Sequence, residues 1–334
     1  MTRVTPQRMR EILDAARGLR ALVVGDLMLD AYISGRVDRI SPEAPVPVVH
    51  VESEGEAVGG AGNVAAGVLA LGARCSVVGL VGRDAAGERL LEALSAVGAD
   101  VDGVVRVEGR PTTVKTRVTA RRQQVVRFDR EDPSDITGSL CDRLARAVED
   151  HAEGADVVIL EDYNKGVFVP AVVQAGLEAA ERLDVPSVVD PKRRRFFEYR
   201  GATVFKPNAK ELEDALGEPV LADDPDWMEA VRDRLGCGTL LLTLGERGMA
   251  LRTEEELVRV PALARSVYDV SGAGDTVTAV TAVALAAGAS PVEAAVLANH
   301  AAAVEVGRAG VSTVSADEIL AHAGVVDEAV PIEE

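Results

Sequence analysis

Cysteine is scarce in this chain: three in 334 residues, Cys75, Cys141 and Cys237, far apart and with no Cys-x-x-Cys. That excludes a disulfide framework or a cysteine zinc site and reads as reduced thiols of a cytoplasmic protein. The four histidines, His50, His151, His300 and His322, show no metal-type spacing. Positive charge is also short: 36 Lys and Arg against 54 Asp and Glu leave a formal net charge of −18. Such a field argues against nucleic acid or an anionic membrane surface as the main partner. It leaves room for a phosphorylated ligand, because a few local Arg and Lys can outweigh the global field. Residues 1–20 are polar and hold several Arg, so no signal peptide is expected. The Ala/Val-rich stretch 277–289 falls short of a membrane span and includes Thr278 and Thr281. Aromatics make up only 3%, yet the apolar fraction is 47%, mostly Ala, Val and Leu, which suffices for a sizeable core.

What is present is alternation. Short Val/Leu/Ile runs at 21–25, 75–81, 156–160, 187–190, 203–205 and 239–244 are separated by amphipathic stretches such as 87–97, 136–151 and 169–183. This predicts an α/β fold, a mostly parallel central sheet with helices on both faces. Several runs end in polar residues: Asp26, Glu161-Asp162, Asp190, then Lys206 and Asn208. Ligands of open α/β sheets bind at the carboxyl ends of strands, so these residues are expected to share one cleft. Segments 46–52 and 112–129 alternate without an intervening helix, the second with a turn near Arg121-Arg122. They predict a small projecting β-sheet: a lid, a dimer surface, both, or an ordinary edge hairpin.

Three glycine- or cap-bearing segments hold chemistry. Asp269-Val-Ser-Gly-Ala-Gly-Asp275 runs straight into a helix of small residues. Gly272 and Gly274 allow the backbone N–H groups to converge, the helix dipole adds positive charge, and Asp275 stands where it can take a proton from a hydroxyl. The residues alone equally allow an N-capping carboxylate after a glycine loop. Gly59-Gly60-Ala61-Gly62-Asn63 precedes another helix of small residues; no Gly-Lys-Ser/Thr follows, so it is not a P-loop. Asn208-Ala209-Lys210-Glu211 opens a third helix, either as a capping box or with Glu211 holding a hydrated Mg²⁺ at a phosphate-facing helix mouth; the two are compatible.

In their order and spacing these segments resemble the ribokinase-like (PfkB) sugar kinases, over about residues 19–322. The resemblance implies a ribokinase-like fold: one kinase domain over 1–322, a β lid from about 31–52 and 104–129, and an acidic tail at 323–334. It implies Asp275 as catalytic base and the amides of Gly272, Ala273 and Gly274 as anion hole. Asn208, Ala209, Lys210 and Glu211 would serve ATP and Mg²⁺, with Glu211 toward the metal. Thr243 and Gly245 fall in the nucleotide-side loop, and a monovalent cation is a further expected cofactor. One departure is Val280, where the family usually has a small residue inside the helix; it touches packing, not chemistry.

Within the family, Val24-Gly-Asp26-Leu-Met-Leu-Asp30, Ile40-Ser-Pro-Glu-Ala-Pro-Val-Pro-Val48, Lys115-Thr-Arg117, Asp162-Tyr-Asn-Lys165-Gly and Asp190-Pro-Lys192 resemble the kinase domain of bacterial heptose kinases. Those act on O1 of D-glycero-β-D-manno-heptose 7-phosphate, in the pathway to ADP-heptose for lipopolysaccharide core. The substrate side is then expected at Asp26, Asp30, Gly59, Gly60, Ala61, Asn63, Lys115, Arg117, Lys165, Asp190 and Lys192, with Arg121 as a further cation or a solvated turn. Many heptose kinases carry a second nucleotidyltransferase domain with His-x-Gly-His. That motif does not occur here, so a stand-alone kinase is expected, a homodimer through the lid. Alternatives are a related kinase for another sugar, sugar phosphate or nucleoside, and a non-catalytic sugar- or nucleotide-binding protein. A Rossmann-type dehydrogenase is a poorer reading still, because no Gly-x-Gly-x-x-Gly follows the first run.

Overall fold

The computed structural model describes residues 4–121, 123–264, 266–308 and 310–329; Arg122 and the last five residues of the expected tail lie outside it. The chain enters on α1 (Pro6–Ala15) and β1 (Arg20–Gly25), then runs out along β2 (Leu27–Ile40) and back along β3 (Pro47–Gly60). There follow α2 (Ala61–Ala70), β4 (Arg74–Gly82), α3 (Ala85–Ala96), β5 (Val104–Val107), β6 (Thr113–Ala120) and β7 (Gln123–Arg130). The second half holds α4 (Ser139–Ala152), β8 (Val157–Glu161), α5 (Pro170–Leu183), β9 (Ser187–Asp190), β10 (Val204–Phe205), α6 (Ala209–Leu216) and α7 (Pro225–Leu235). It closes with β11 (Thr239–Thr243), β12 (Met249–Arg252), β13 (Leu257–Val260), α8 (Ala273–Ala286), α9 (Pro291–Glu305) and α10 (Ala316–Ala329).

Nine strands form the main sheet in the order β13-β12-β11-β10-β9-β8-β1-β4-β5. All its pairings are parallel except β11–β12 and β12–β13. A strand covered on both faces needs apolar residues at every position, which is why β1 and β8 read as unbroken runs. The two faces separate cleanly: Leu22, Val24 and Leu160 join one buried cluster with α4, α5 and α7. Ala21, Val23 and Ile159 join the other with α1, α2, α8 and α9. That second cluster contains no aromatic side chain among its buried residues; it is Ala, Val, Leu, Ile, Met and Cys throughout. Small residues let α8 and α9 pack close, so the scarcity of aromatics reflects tight packing, not a thin core. The aromatics gather on the other face, where Phe196, Tyr199 and Phe205 are fully buried and Phe196 meets Phe205 edge-on at 5.1 Å.

Four strands form the small sheet in the order β3-β2-β6-β7. The β2–β3 hairpin is antiparallel, pairing Leu27 with Gly60 at its base and Ile40 with Pro47 at its tip. β6 lies parallel to β2 and antiparallel to β7. This sheet begins at Leu27, earlier than the expected 31. Residues 104–107 do not join it: β5 pairs in parallel with β4 at the edge of the main sheet. Their Val-Val-Arg-Val pattern reads alike in either sheet, and only the register decides. The helix of α10 continues through Ala329, so the tail does not start at 323.

Candidate active site

The carboxyl ends of β1, β8, β9, β10 and β11 deliver Asp26, Glu161 to Tyr163, Asp190 to Lys192, Lys206 to Asn208, and Thr243 to one edge of the sheet. The amino end of α8 comes down on them. Gly272 caps that helix at φ 86°, a left-handed conformation that favours glycine. A Cβ there would lie 2.5 Å from Glu305 Oε1. The room a Cβ would fill at Gly274 is 3.8 Å from Lys206 Nζ and 3.9 Å from Asp190 Oδ2, so the glycine turn faces a buried ammonium. Asp275 follows in the first turn, buried, with both carboxylate oxygens engaged. Tyr163 Oη donates to Oδ1 at 2.6 Å and Asn63 Nδ2 donates to Oδ2 at 2.8 Å. Burial raises its pKa, Tyr163 and Asn63 pull it down, Asp190 raises it and Lys206 lowers it; the net shift is upward.

Behind Asp275 lies a cluster of alternating charge. Glu161, Asp190 and Asp275 hold carboxylate oxygens within 4.8 Å of one another, all buried. Lys206 donates to Asp190 at 2.9 Å, and Lys192 stands 3.4 Å from the other oxygen. Burial works to raise Asp190, but the two lysines outweigh it and hold the carboxyl below its ordinary range. Neither oxygen of Glu161 meets a donor among the described residues, and burial, Asp190 and Asp275 push it well above the carboxylate range. The shift favours its uncharged form over the carboxylate. Lys192 also reaches Glu211 Oε1 at 2.7 Å; burial opposes its charge, and Asp190 and Glu211 keep it protonated.

Asn208 and Glu211 form a reciprocal capping box on α6: Glu211 N donates to Asn208 Oδ1 and Asn208 N to Glu211 Oε2, both at 2.9 Å. Thr243 N donates to Pro207 O at 3.0 Å, which sets the β11 loop beside that helix mouth. Gly245 opens a single 3₁₀ turn at φ 59°. Ala209 starts α6, whereas Lys210 is exposed and pairs with Asp214 along the same helix, away from the lysine and carboxylate cluster.

On the side of the small sheet, Gly59 and Gly60 end β3 and Ala61 begins α2, which carries Asn63 to Asp275. A Cβ on Gly59 would lie 2.6 Å from Asp30 Oδ2. Asp30 accepts from Arg117 at 2.5 Å, and Arg117 lies 5.5 Å from the Tyr32 ring centroid. Lys165 pairs with Glu131 at 2.8 Å. Lys115, on β6, makes no ion pair among the described residues and sits 5.2 Å from the Tyr163 ring centroid. Arg121 is at the exposed β6–β7 turn, 3.7 Å from Asp38. Asp26 has its oxygens taken by the backbone N–H groups of Tyr163, Lys165 and Val167, at 2.7, 3.0 and 3.3 Å. Burial and Asp162 nonetheless raise it to about 6. It thus holds the 163–167 loop in place rather than reaching into the cleft. Four site residues had no assigned role from sequence: Tyr163, Lys206, Glu161 and Glu305. The first three stand at strand ends, a visible signal; Glu305 sits at the end of α9 with no pattern to mark it.

The carbohydrate-kinase family described as pfkB matches residues 19–318. The chain belongs to that family. Among curated relatives, the bifunctional protein HldE of Trichlorobacter lovleyi is 45% identical over 313 residues, 93% of this chain and 64% of its own. The bifunctional protein HldE of Caulobacter vibrioides is 46% identical over 314 residues, 92% of this chain and 64% of its own. The chain therefore spans 64% of the length of each of these two relatives. Of solved structures, Arabidopsis thaliana ribokinase complexed with ribose and ATP gives a TM-score of 0.72 at 23% identity, covering 92% of this chain and 99% of that one. Escherichia coli phosphofructokinase-2 in complex with potassium gives 0.76 at 20% identity, over 93% and 99%. These likenesses establish a ribokinase-like α/β fold for this pfkB member, mostly parallel sheet and small second sheet included. A separate groove of about 650 Å³ between α5 and residues 197–203 shares no residue with the pfkB-type cleft.

Proposed function

We propose that this pfkB kinase transfers the γ-phosphoryl group of ATP to O1 of D-glycero-β-D-manno-heptose 7-phosphate. The observation that supports the chemistry best is the pairing of Asp275 with the Gly272–Gly274 turn and Lys206. Asp275 takes the proton from the sugar hydroxyl as its oxygen attacks the γ-phosphorus; the bond to the β–γ bridging oxygen breaks and ADP leaves. The amides of Gly272, Ala273 and Gly274, the α8 dipole and Lys206 stabilise charge on the three equatorial oxygens. A magnesium ion, if carried with the nucleotide, would supply further charge neutralisation at the phosphates. Glu211, an oxygen ligand at a helix mouth, would hold it through water by exchanging one cation for another, since its Oε1 now faces Lys192 at 2.7 Å.

The heptose reading rests on the segments quoted above, on relatives bearing the HldE name, and on cations at the lid. Lys115 makes no ion pair among the described residues and is the first candidate for the 7-phosphate; Arg117 and Lys165 would shift from Asp30 and Glu131 toward a dianion. Gly59, Gly60 and Ala61 then give the sugar close backbone approach. We further propose a homodimer through the lid. Every residue of the edge strand β7 is exposed, and Val126, Phe128, Ile40 and Val51 present 48%, 54%, 61% and 52% of their surface to solvent. No helix among the described residues is long and apolar enough to cross a membrane. The test is kcat/KM with ATP and Mg²⁺ on heptose 7-phosphate, ribose, fructose and fructose 1-phosphate. Preference for an unphosphorylated sugar sinks the heptose assignment and leaves the kinase reading.

A further inference from the structure

We propose that Tyr163 is a positioning residue of this site: its hydroxyl aims the Asp275 carboxylate, and its ring seats two lysines. The inference rests on Asp275 being the general base. Tyr163 is on a rigid loop. Its own N–H is bound by Asp26 at 2.7 Å, and Arg110 donates to the carbonyls of Asp132, Ser134 and Lys165 at 2.7, 2.7 and 2.6 Å around it. Gly166 closes the loop at φ 84°, where a Cβ would fall 2.0 Å from Ser134 O, so the backbone there has one workable residue. A side chain launched from so fixed a base arrives at Asp275 with a defined direction.

The hydroxyl donates to Asp275 Oδ1 at 2.6 Å, a short charge-assisted bond. With Asn63 on Oδ2, each carboxylate oxygen has one donor and one lone pair left, which suits accepting a substrate hydroxyl. Burial and the nearby carboxylates push the phenol well above its ordinary range, so Tyr163 stays protonated and never competes for the substrate's proton. The groups facing Asp275 are Glu161 at the end of β8 and Tyr163 just beyond it, Asp190 at the end of β9, Lys206 after β10, Asn63 on α2 and Glu305 at the end of α9. Two of these groups donate directly to the carboxylate, and Tyr163 is one. The ring has a second use. Lys115 from the lid and Lys192 from the β9 end approach its centroid to 5.2 and 5.0 Å. One side chain therefore ties the lid cation, the nucleotide-side cation and the base together.

Two substitutions separate the roles. Tyr163→Phe keeps the ring and removes the donor; Tyr163→Leu removes both. With Tyr163→Phe, kcat at pH 7 should fall roughly tenfold, a net hydrogen bond to a charged group. The acid limb of the kcat–pH profile should move to higher pH, because a base that has lost a donor is protonated more readily. KM for the sugar phosphate should stay within about twofold for this variant, and rise more than about fivefold for Tyr163→Leu as Lys115 loses its seat. Because Glu305 also titrates nearby, the profile is repeated in a Glu305→Gln background. An unmoved acid limb with kcat within twofold of the parent overturns the proposal. Asp275→Asn is run alongside: if it keeps more than half of the parent's turnover, the base assignment itself falls. If it is inactive while Tyr163→Phe behaves as the parent, only the role of Tyr163 falls. Should Tyr163→Leu fail to fold, Tyr163→Phe alone decides.

Discussion

Glu305 offers a sharp test of how the glycine turn is built. Its carboxyl is buried against Gly272 at 1% exposure, with only long or bent approaches from donors among the described residues. Burial raises its pKa from 4.5 to about 7; the Thr276 hydroxyl opposes this, the Asp275 charge adds to it, and the Ser312 backbone opposes it. The sign follows from linkage. Between about 4.5 and 7 the unfolded chain gives up this proton before the folded one does, so stability falls as pH rises through that window. The cost is absent below the unfolded value and complete above the folded one. At about 1.4 kcal/mol per pH unit, a rise of about 2.5 amounts to ~3 kcal/mol above pH 7 and less than ~1 kcal/mol at pH 5. Glu305→Gln, neutral at every pH, should therefore be more stable than the parent by ~2–3 kcal/mol at pH 8.5 and nearly equal to it at pH 5. Urea unfolding of both proteins at the two pH values measures this. A stability difference that is the same at pH 5 and pH 8.5 refutes the reasoning, since it would then owe nothing to ionisation.

Three other predictions follow from the same geometry. Glu211→Ala should cut Mg²⁺-dependent turnover with partial rescue by raised Mg²⁺, and should lower the melting temperature by removing half of a capping box worth about 1 kcal/mol; a loss of stability with unchanged metal dependence leaves only the cap. Arg117→Ala should raise KM for the phosphorylated sugar about tenfold or more and leave KM for ATP nearly unchanged, each charge-assisted contact contributing about 1.5–3 kcal/mol; equal changes in both constants count against it. Phe128→Glu on β7 should convert a dimer to monomer at micromolar concentration in sedimentation, and a parent that is already monomeric contradicts the lid interface.

Much of the frame is legible from sequence because parallel strands leave a plain signature. The runs at 21–25, 75–81 and 187–190 are buried on both faces, so the pattern needs no partner to be recognised. The capping box at Asn208 and Glu211 is likewise local, four residues fixing both bonds. β2 is harder: Asp30-Ala-Tyr-Ile-Ser-Gly-Arg36 mixes polar and apolar residues as it leaves the core for the lid, and its first four residues are buried while its last are exposed. β5 was open to either sheet because Val-Val-Arg-Val fits both. The site residues that sequence left without a role are those whose meaning is a distant contact. Tyr163 gains its role from Asp275, 112 positions away, and Lys206 from the room beside Gly274. The cations show the converse: Arg117 on β6 and Lys165 after β8 each already have a carboxylate partner that no local pattern announces.

The central claim is that Asp275 is the general base of a sugar kinase. The direct measurement is turnover of Asp275→Asn with ATP, Mg²⁺ and heptose 7-phosphate, beside ATP affinity and melting temperature of the same protein. The change is isosteric and leaves the Tyr163 and Asn63 contacts a polar partner, so folding and ATP binding should stay close to the parent's. Turnover should drop by roughly 10²–10⁴-fold, the span of a lost general base. A folded, ATP-binding Asp275→Asn protein that keeps more than half of the parent's turnover contradicts the account.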